Sequence, residues 1–379
     1  MGVWRQEKEA AMKGRLPLGP LMASSRQPFQ LECEVEGGVV TSARLTSAAE
    51  RLSYAPGFEG ASSVEGAELA SHFCARSAVH LGWAFSLAVE DALGMEVNDE
   101  HDAMRVALSE WARIASHLEA VSDVARTLED DLVYVRPRRY VHRIHSAFEE
   151  ACGNAFGFGV VVPGGVALSS PAAAVEMLDA LSRDADMIER DVGFWSRKVS
   201  LSHARLRRGR LDASWLDGEA SAASLRASGS GLDLRTGEAY GPYGQLAYRT
   251  VKRDGGTALD RTLVLLAEIK ASVGLIKKVR EAASGCEGAP GPVSPRKGTG
   301  AGAVESPHGA VDCRVFIDSE GKIIRARLNG DAELVAGLAG RAMEGVPFED
   351  AAASLASLNL CGCCTGLGGR ERGSESGEE

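Results

Sequence analysis

Apolar and polar residues alternate through Phe29, Leu31, Cys33 and Val35 until Gly37-Gly38 interrupts the run and Val39-Val40 resume it. A period of two places one side of a strand in a core. A glycine pair between two such runs marks a turn, so residues 28–46 are predicted to form a hairpin with one buried face. From Glu65 onward the period changes. Met104, Leu108, Trp111, Ile114, Leu118, Val121 and Leu128 recur at three- and four-residue steps, which lines one side of a long helix. The same spacing predicts a helix through Met177, Leu178, Leu181, Ile188, Val192 and Trp195, and another through Leu266, Ile269, Val273 and Ile276. Such faces must bury one another, so the middle of the chain is expected to be a helical bundle.

Residues 282–303 are rich in Gly, Pro and Ala with little periodicity and read as a linker. Cys313, Val315 and Ile317 then alternate up to Asp318-Ser319-Glu320-Gly321, and Ile324, Ala326 and Leu328 alternate after it, which predicts a second hairpin. A short helix around Ala332 to Ala342 leads to a cysteine cluster, and the polar tail from Gly366 is expected to be disordered. The predicted organisation is an N-terminal hairpin region (1–64), a helical core (65–281), the linker (282–303), a hairpin with the cysteine segment (304–365) and the tail (366–379). The fold class is mainly α (α+β), with small antiparallel hairpins near both ends.

The chain has 379 residues, 45% apolar and 25% charged, enough to bury a large core. Its net charge of -10 argues against nucleic acid as a partner, because that affinity comes largely from clustered Lys and Arg. No stretch approaches the ~18 apolar residues of a spanning helix, and the first 26 residues lack signal-peptide features, so a cytoplasmic location is expected. Any membrane contact would come through partner subunits. The basic run Arg136-Pro-Arg138-Arg139-Tyr-Val-His142-Arg143-Ile-His145 reads as a solvated face or as a surface for an acidic partner.

Eight cysteines are too few for a disulfide scaffold in a chain of this length. Cys33, Cys152, Cys286 and Cys313 stand alone and read as small buried hydrophobes or idle thiols. Cys361, Cys363 and Cys364 form Cys-Gly-Cys-Cys, whose Cys-x-x-Cys pair can place two thiolates on one metal. Cys74-Ala-Arg-Ser77-Ala-Val-His80 opens a predicted helix, and by itself reads as packing. Together with the distant cluster it suggests a site built from both ends of the chain, and soft thiolates suit nickel, iron or zinc.

Seven segments in order resemble the large subunits of nickel-iron hydrogenases and their relatives in respiratory NADH:quinone oxidoreductase. They are Leu16-Pro-Leu-Gly-Pro20 with the first hairpin; Phe73-Cys74 through Glu90 to Gly94; and Arg105 with Ser109-Glu110-Trp-Ala-Arg113-Ile-Ala-Ser-His117-Leu118. Next come Gly153-Asn154-Ala155-Phe156 with Val162-Pro163-Gly164-Gly165-Val166, and Leu225-Arg-Ala-Ser-Gly229 with Asp233-Leu-Arg235 and Tyr240-Gly-Pro-Tyr243. Val304-Glu305-Ser-Pro307-His308-Gly309 and Cys361-Gly-Cys-Cys364-Thr365 complete the series. The resemblance implies a hydrogenase large-subunit-like fold in a complex with a small iron-sulfur subunit and membrane subunits, peripheral to the inner face of the cell membrane. It also implies a nickel or nickel-iron site on Cys74, Cys361 and Cys364, with Ser77 or Cys363 as the fourth ligand and zinc or no metal as the alternative. His80, Glu110, Arg113, His117, Glu305 and His308 are the catalytic candidates. For Arg105, Glu110, Arg113 and His117, the other reading is ion pairs on a helix surface.

The departures from that family bear on activity. Ser77 takes the place of the second amino-terminal cysteine, Ser71 that of the proton-relay glutamate and His308 that of an arginine, while His80 sits one place before the usual histidine, at Leu81. In the quinone-reducing branch, Met22 replaces a histidine and Ala75 a tyrosine. The expectation is a large-subunit-like component of an electron-transfer complex without normal nickel-iron hydrogenase activity. The alternative is a non-catalytic structural or coupling subunit.

Overall fold

A computed structural model describes residues 12–18, 29–47, 55–201, 203–215, 220–237, 240–287 and 289–367. Gly19-Pro20, Met22 and all of the predicted tail except Gly366 and Leu367 lie outside them. Strands β1 (Met12–Leu18), β2 (Phe29–Glu36) and β3 (Val39–Ser47) form an antiparallel sheet in the order β1-β2-β3. Gly37 and Gly38 both have positive φ, 56° and 78°, as the two-residue hairpin turn requires.

The helices follow: α1 (Ala55–Phe58), α2 (Ser63–Ser71), α3 (Ala78–Leu93), α4 (Asp99–Thr127) and α5 (Asp131–Cys152). After a short ribbon of β4 (Val161–Val162) and β5 (Gly165–Val166) come α6 (Pro171–Leu201), α7 (His203–Leu206), α8 (Ala223–Arg226) and α9 (Ala258–Ser284). Helix α4 packs on α5 and α9, and α6 closes the bundle against both. The three helices expected from periodicity are α4, α6 and α9. Helix α5 is a fourth bundle member, and its buried face is Val133, Pro137, Val141, Ile144 and Phe148. The basic cluster lies on its outer side, where Arg136 and Arg143 pair with Asp191 and Asp184 of α6.

Past α9 the chain forms β6 (Gly298–Ser306), β7 (Gly309–Ile317) and β8 (Ile323–Gly330), an antiparallel sheet in that order. Strand β6 takes in residues that composition had assigned to the linker. Gly298, Gly300 and Gly302 alternate along it and rest directly on the backbone of α3 at Ala92, Ala88 and Ala84. A Cβ on Gly300 would stand 2.2 Å from the Ala88 carbonyl oxygen, so the composition that looked like a flexible loop is a close-approach surface.

Helices α10 (Ala332–Gly337) and α11 (Phe348–Ala356) pack Val335, Leu338 and Leu355 against Phe29, Leu31 and Val40 of the N-terminal sheet. Val40 N–H donates to the Val346 carbonyl at 2.9 Å. This second core anchors the segment carrying Cys361 through Cys364. Cys33, Cys152, Cys286 and Cys313 are buried, as small apolar residues would be.

Candidate metal centre and its buried charge network

Cys74 precedes and Ser77 ends a single 3₁₀ turn, Ala75–Ser77, that leads into α3. The terminal cysteines follow α11, and the 287 positions between the two segments vanish in the fold. Cys74 Sγ lies 3.4 Å from Cys361 Sγ, Ser77 Oγ lies 3.5 Å from Cys364 Sγ, and the sulfurs of Cys74, Cys361 and Cys364 are all within 4.8 Å of one another. All three cysteines are buried. A tetrahedral ion with metal–sulfur bonds of about 2.3 Å holds its sulfurs about 3.8 Å apart, so these residues fit a soft metal. The thiols of Cys363, Cys364 and Cys74 act on the Cys361 sulfur and hold its pKa well below the usual thiol range, while contact with that sulfur pushes Cys363 and Cys364 up.

Asn359, unremarked in the sequence, holds the terminal segment in place. Its Oδ1 accepts from Arg76 Nη2 at 2.8 Å, its Nδ2 donates to the Pro307 carbonyl at 3.0 Å and approaches His117 Nδ1 at 3.4 Å, and its carbonyl accepts from His308 Nδ1 at 2.9 Å. It therefore ties the 3₁₀ turn, α4 and the β6–β7 turn to the cysteines. Its φ of 53° is left-handed, a conformation asparagine tolerates better than most residues. Arg76 is fixed in turn by Glu119, 3.0 Å from its Nε, and by the Ser116 carbonyl.

The histidines near this segment are neutral. Burial, with Arg76 beside it, depresses His308 to about 3, and burial, with Arg113 and His308 nearby, holds His80 well below its usual range. His308 Nε2 and both ring nitrogens of His80 are buried without hydrogen-bond partners among the described residues. His117 is also lowered by burial, even though its Nε2 lies 3.1 Å from Glu268 Oε2.

Beyond His117 runs a set of fully buried ion pairs. Arg226 donates to Glu268 at 2.6 and 2.9 Å and to Glu305 at 2.8 Å. Arg235 grips Asp233 at 2.8 and 2.9 Å and reaches Glu110 at 3.4 Å, and Arg113 contacts Glu110 at 3.2 Å and the Glu305 carbonyl at 2.5 Å. Glu110 also accepts from Tyr243 Oη and Ser272 Oγ. Burial alone would raise Glu110, and the guanidinium groups of Arg113 and Arg235 outweigh it. The helix-surface reading of these residues is therefore wrong: Arg105, Glu110, Arg113 and His117 are all 0% exposed, because α4 is surrounded by other elements. Arg105 belongs elsewhere, clamping Glu90 and the Val162 and Gly165 carbonyls of the β4–β5 ribbon. The candidates Glu110, Arg113, His117 and Glu305 thus join one network, and His308 meets it through Asn359.

Residues 132–289 match the family model of the respiratory-chain NADH dehydrogenase 49 kDa subunit. An NADH-quinone oxidoreductase subunit of Chlorobium phaeobacteroides is 26% identical over 338 residues, spanning 81% of this chain and 80% of its own. The chain resembles this large-subunit family. The corresponding NADH-quinone oxidoreductase subunit of Wolbachia pipientis wMel is 31% identical over 208 residues, 52% of this chain, and the chain spans about half, 51%, of that relative's length. The fold is that of a chain in the membrane-bound sulfane sulfur reductase, an archaeal respiratory membrane complex, with a TM-score of 0.81 at 20% identity over 93% of this chain and 98% of that one.

Chain order and motif spacing singled out the cysteines and the α4 residues that the fold brings close together. They missed Glu268, Arg76 and Asn359. Glu268 had a signal, a lone acid in the apolar run Leu263-Val-Leu-Leu-Ala-Glu268-Ile. Arg76 and Asn359 had none, since their partners lie on other elements.

Proposed function

We propose that the chain is the large-subunit-like component of a membrane-associated, multisubunit redox complex, and that Cys74, Cys361 and Cys364 hold one soft metal ion in it. The observation that carries this reading is the convergence of three buried sulfurs from opposite ends of the chain. When bound, nickel or iron would supply electron-transfer chemistry, and zinc a structural tie alone. The residues of this chain do the rest. Asn359 and Arg76 orient the terminal turn, the neutral His80 and His308 keep positive charge away from the sulfurs, and the ion-pair network fixes Glu110 and Arg113 in one arrangement. No described helix is long and apolar enough to cross a membrane, so membrane association is assigned to partner subunits, one of them a small iron-sulfur protein.

Serine at 77, serine at 71 and histidine at 308 replace the groups that the hydrogenase branch uses for metal binding and proton transfer, so the chain is assigned to a complex that does not oxidise hydrogen. The test is purification from its native source with partners retained, followed by subunit identification, metal analysis and a hydrogen-uptake assay. About one metal per chain, lost on Cys361→Ala, with membrane and iron-sulfur subunits present and no hydrogen uptake, is expected. A chain isolated alone and free of metal would overturn the reading, and stoichiometric nickel and iron with hydrogen oxidation would overturn the assignment against hydrogenase activity.

A further inference from the structure

We propose that the outer face of the β6–β7–β8 sheet seats an acidic, extended segment of a partner subunit. This rests on the reading that the chain works inside a multisubunit complex and is independent of the metal site. Strand β6 turns Gly298, Gly300 and Gly302 onto α3, so the alternation leaves the small residues Thr299, Ala301 and Ala303 on the other side. The register carries that outer face across the sheet. Phe316 lies beside Thr299 and Arg314 beside Ala301, and on β8 Arg325 is opposite Phe316 and Arg327 directly opposite Arg314. All three arginines are exposed. With the small residues of β6 they line a trough of about 400 Å³, and at one end of it Asp312 accepts from Asn329 Nδ2 at 2.9 Å.

Charge says what covers this face. Like charges directly opposite on antiparallel strands repel, because their Cβ atoms stand only about 4.5–5.5 Å apart. Neither Arg314 nor Arg325 makes an ion pair among the described residues, in a chain whose net charge is -10. The basic run of α5 differs, since Arg136 and Arg143 are already paired with Asp191 and Asp184 of α6. Spacing says which anion. Arg325 and Arg327 are two positions apart on one strand, about 7 Å, and an extended segment with an acid at every second position repeats at that distance. Each guanidinium can grip a carboxylate with two parallel hydrogen bonds, while Phe316, Ala301 and Ala303 offer an apolar floor to what lies between the acids. A nucleic-acid strand fits less well, because the overall negative charge of the chain repels a phosphate polymer.

The probe is a fluorescent peptide of alternating Glu and Ser, titrated into the isolated full-length chain at low salt and followed by anisotropy. A Gln-for-Glu peptide and an oligothymidylate of matched length run beside it. Expected are saturable binding of the Glu peptide alone, and affinity lowered at least about tenfold by raised salt and by Arg314→Gln with Arg327→Gln. Arg139→Gln on α5 should leave it unchanged. The double variant removes a repulsion, so its thermal midpoint should equal or exceed that of wild type, which separates lost binding from lost folding. Undiminished binding by the double variant, or binding of the Gln peptide, would overturn the proposal, and tighter binding of the oligothymidylate would overturn it in favour of a phosphate ligand. Phenylglyoxal footprinting then compares the isolated chain with the native complex. Arg314 and Arg325 should be modified in the first and protected in the second. Equal modification in both would overturn a partner on this face, and protection already in the isolated chain would overturn it in favour of coverage by the chain itself. A chain that purifies without partners yet binds the Glu peptide would overturn the complex reading and support the preference of this face for acidic segments.

Discussion

Replacing Arg226 with methionine removes a cation of similar length from the centre of the ion-pair network. Arg226 makes two hydrogen bonds to Glu268, one to Glu305, and others to Ser221 Oγ and the Leu232 carbonyl at 3.0 and 3.1 Å. Without it Glu268 keeps His117 at 3.1 Å and Arg235 at 3.5 Å, while Glu305 keeps only Ser221 Oγ at 2.7 Å and the Leu234 N–H at 3.4 Å. Two fully buried carboxylates then lack their main counter-charge. Breaking a buried pair from one side costs about 3–5 kcal/mol, a large share of the ~5–15 kcal/mol that holds a domain together. The penalty should also depend on pH. In the variant Glu268 loses the guanidinium that chiefly holds its pKa down against burial, so its folded-state pKa rises and the destabilisation shrinks as pH falls through it. Urea unfolding of wild type, Arg226→Met and Arg226→Lys at pH 7.5 and 5.5 reads both effects. The expected order is wild type, Lys, Met, with the Met deficit smaller at pH 5.5. A deficit under about 1 kcal/mol at pH 7.5, or one that grows on acidification, would show that Glu268 and Glu305 do not depend on Arg226 for their counter-charge.

Gly300→Ala should destabilise the protein by at least about 2 kcal/mol, read as a lowered thermal midpoint, because its Cβ would meet the Ala88 carbonyl oxygen at 2.2 Å and the Ala92 nitrogen at 2.3 Å. An unchanged midpoint would show that β6 does not lie on α3. Both His80 and His308 are held neutral by burial in the folded protein, so the unfolded chain takes up protons below pH ~6.5 that the folded chain refuses. Stability is then full above ~6.5 and declines as pH falls, for His308 by about 1.4 kcal/mol per pH unit down toward about 3 and for His80 in the same direction, and the double variant His80→Gln with His308→Gln should flatten that slope. Asn359→Leu breaks its contacts to Arg76, Pro307 and His117 and should lower metal affinity about 10–100-fold while far-UV circular dichroism stays native, and an unaltered affinity would remove Asn359 from the site.

The bundle was legible because α4, α6 and α9 each carry an apolar stripe with helical period. Helix α5 was hidden by Pro137 and by a run of cations that drew attention to its outer side. Strand β6 escaped because its Gly–Ala alternation has no hydrophobic signal: those glycines are chosen for the absence of a side chain against α3, a constraint visible only once the helix is beside them. The convergence of Cys74 with Cys361 and Cys364 was readable because thiols at both chain ends pointed to one pocket. Its support was not. Glu110 and Arg113, three positions apart on one helix, look like a surface pair in sequence, and only the helices packed around α4 turn them into a buried charge that needs Arg235, Tyr243 and Ser272.

Two distant chain segments meet at the three cysteines, and thiol cross-linking probes that meeting. Metal-free full-length protein is treated with a short thiol-bridging reagent, digested and analysed by mass spectrometry, with and without prior loading with Zn(II). Bridged peptides joining Cys74 to Cys361 or Cys364 are expected, formed before any other distant pair and suppressed by stoichiometric metal. Bridges confined to neighbouring residues of the terminal turn, with Cys74 reacting alone and metal giving no protection, would contradict it.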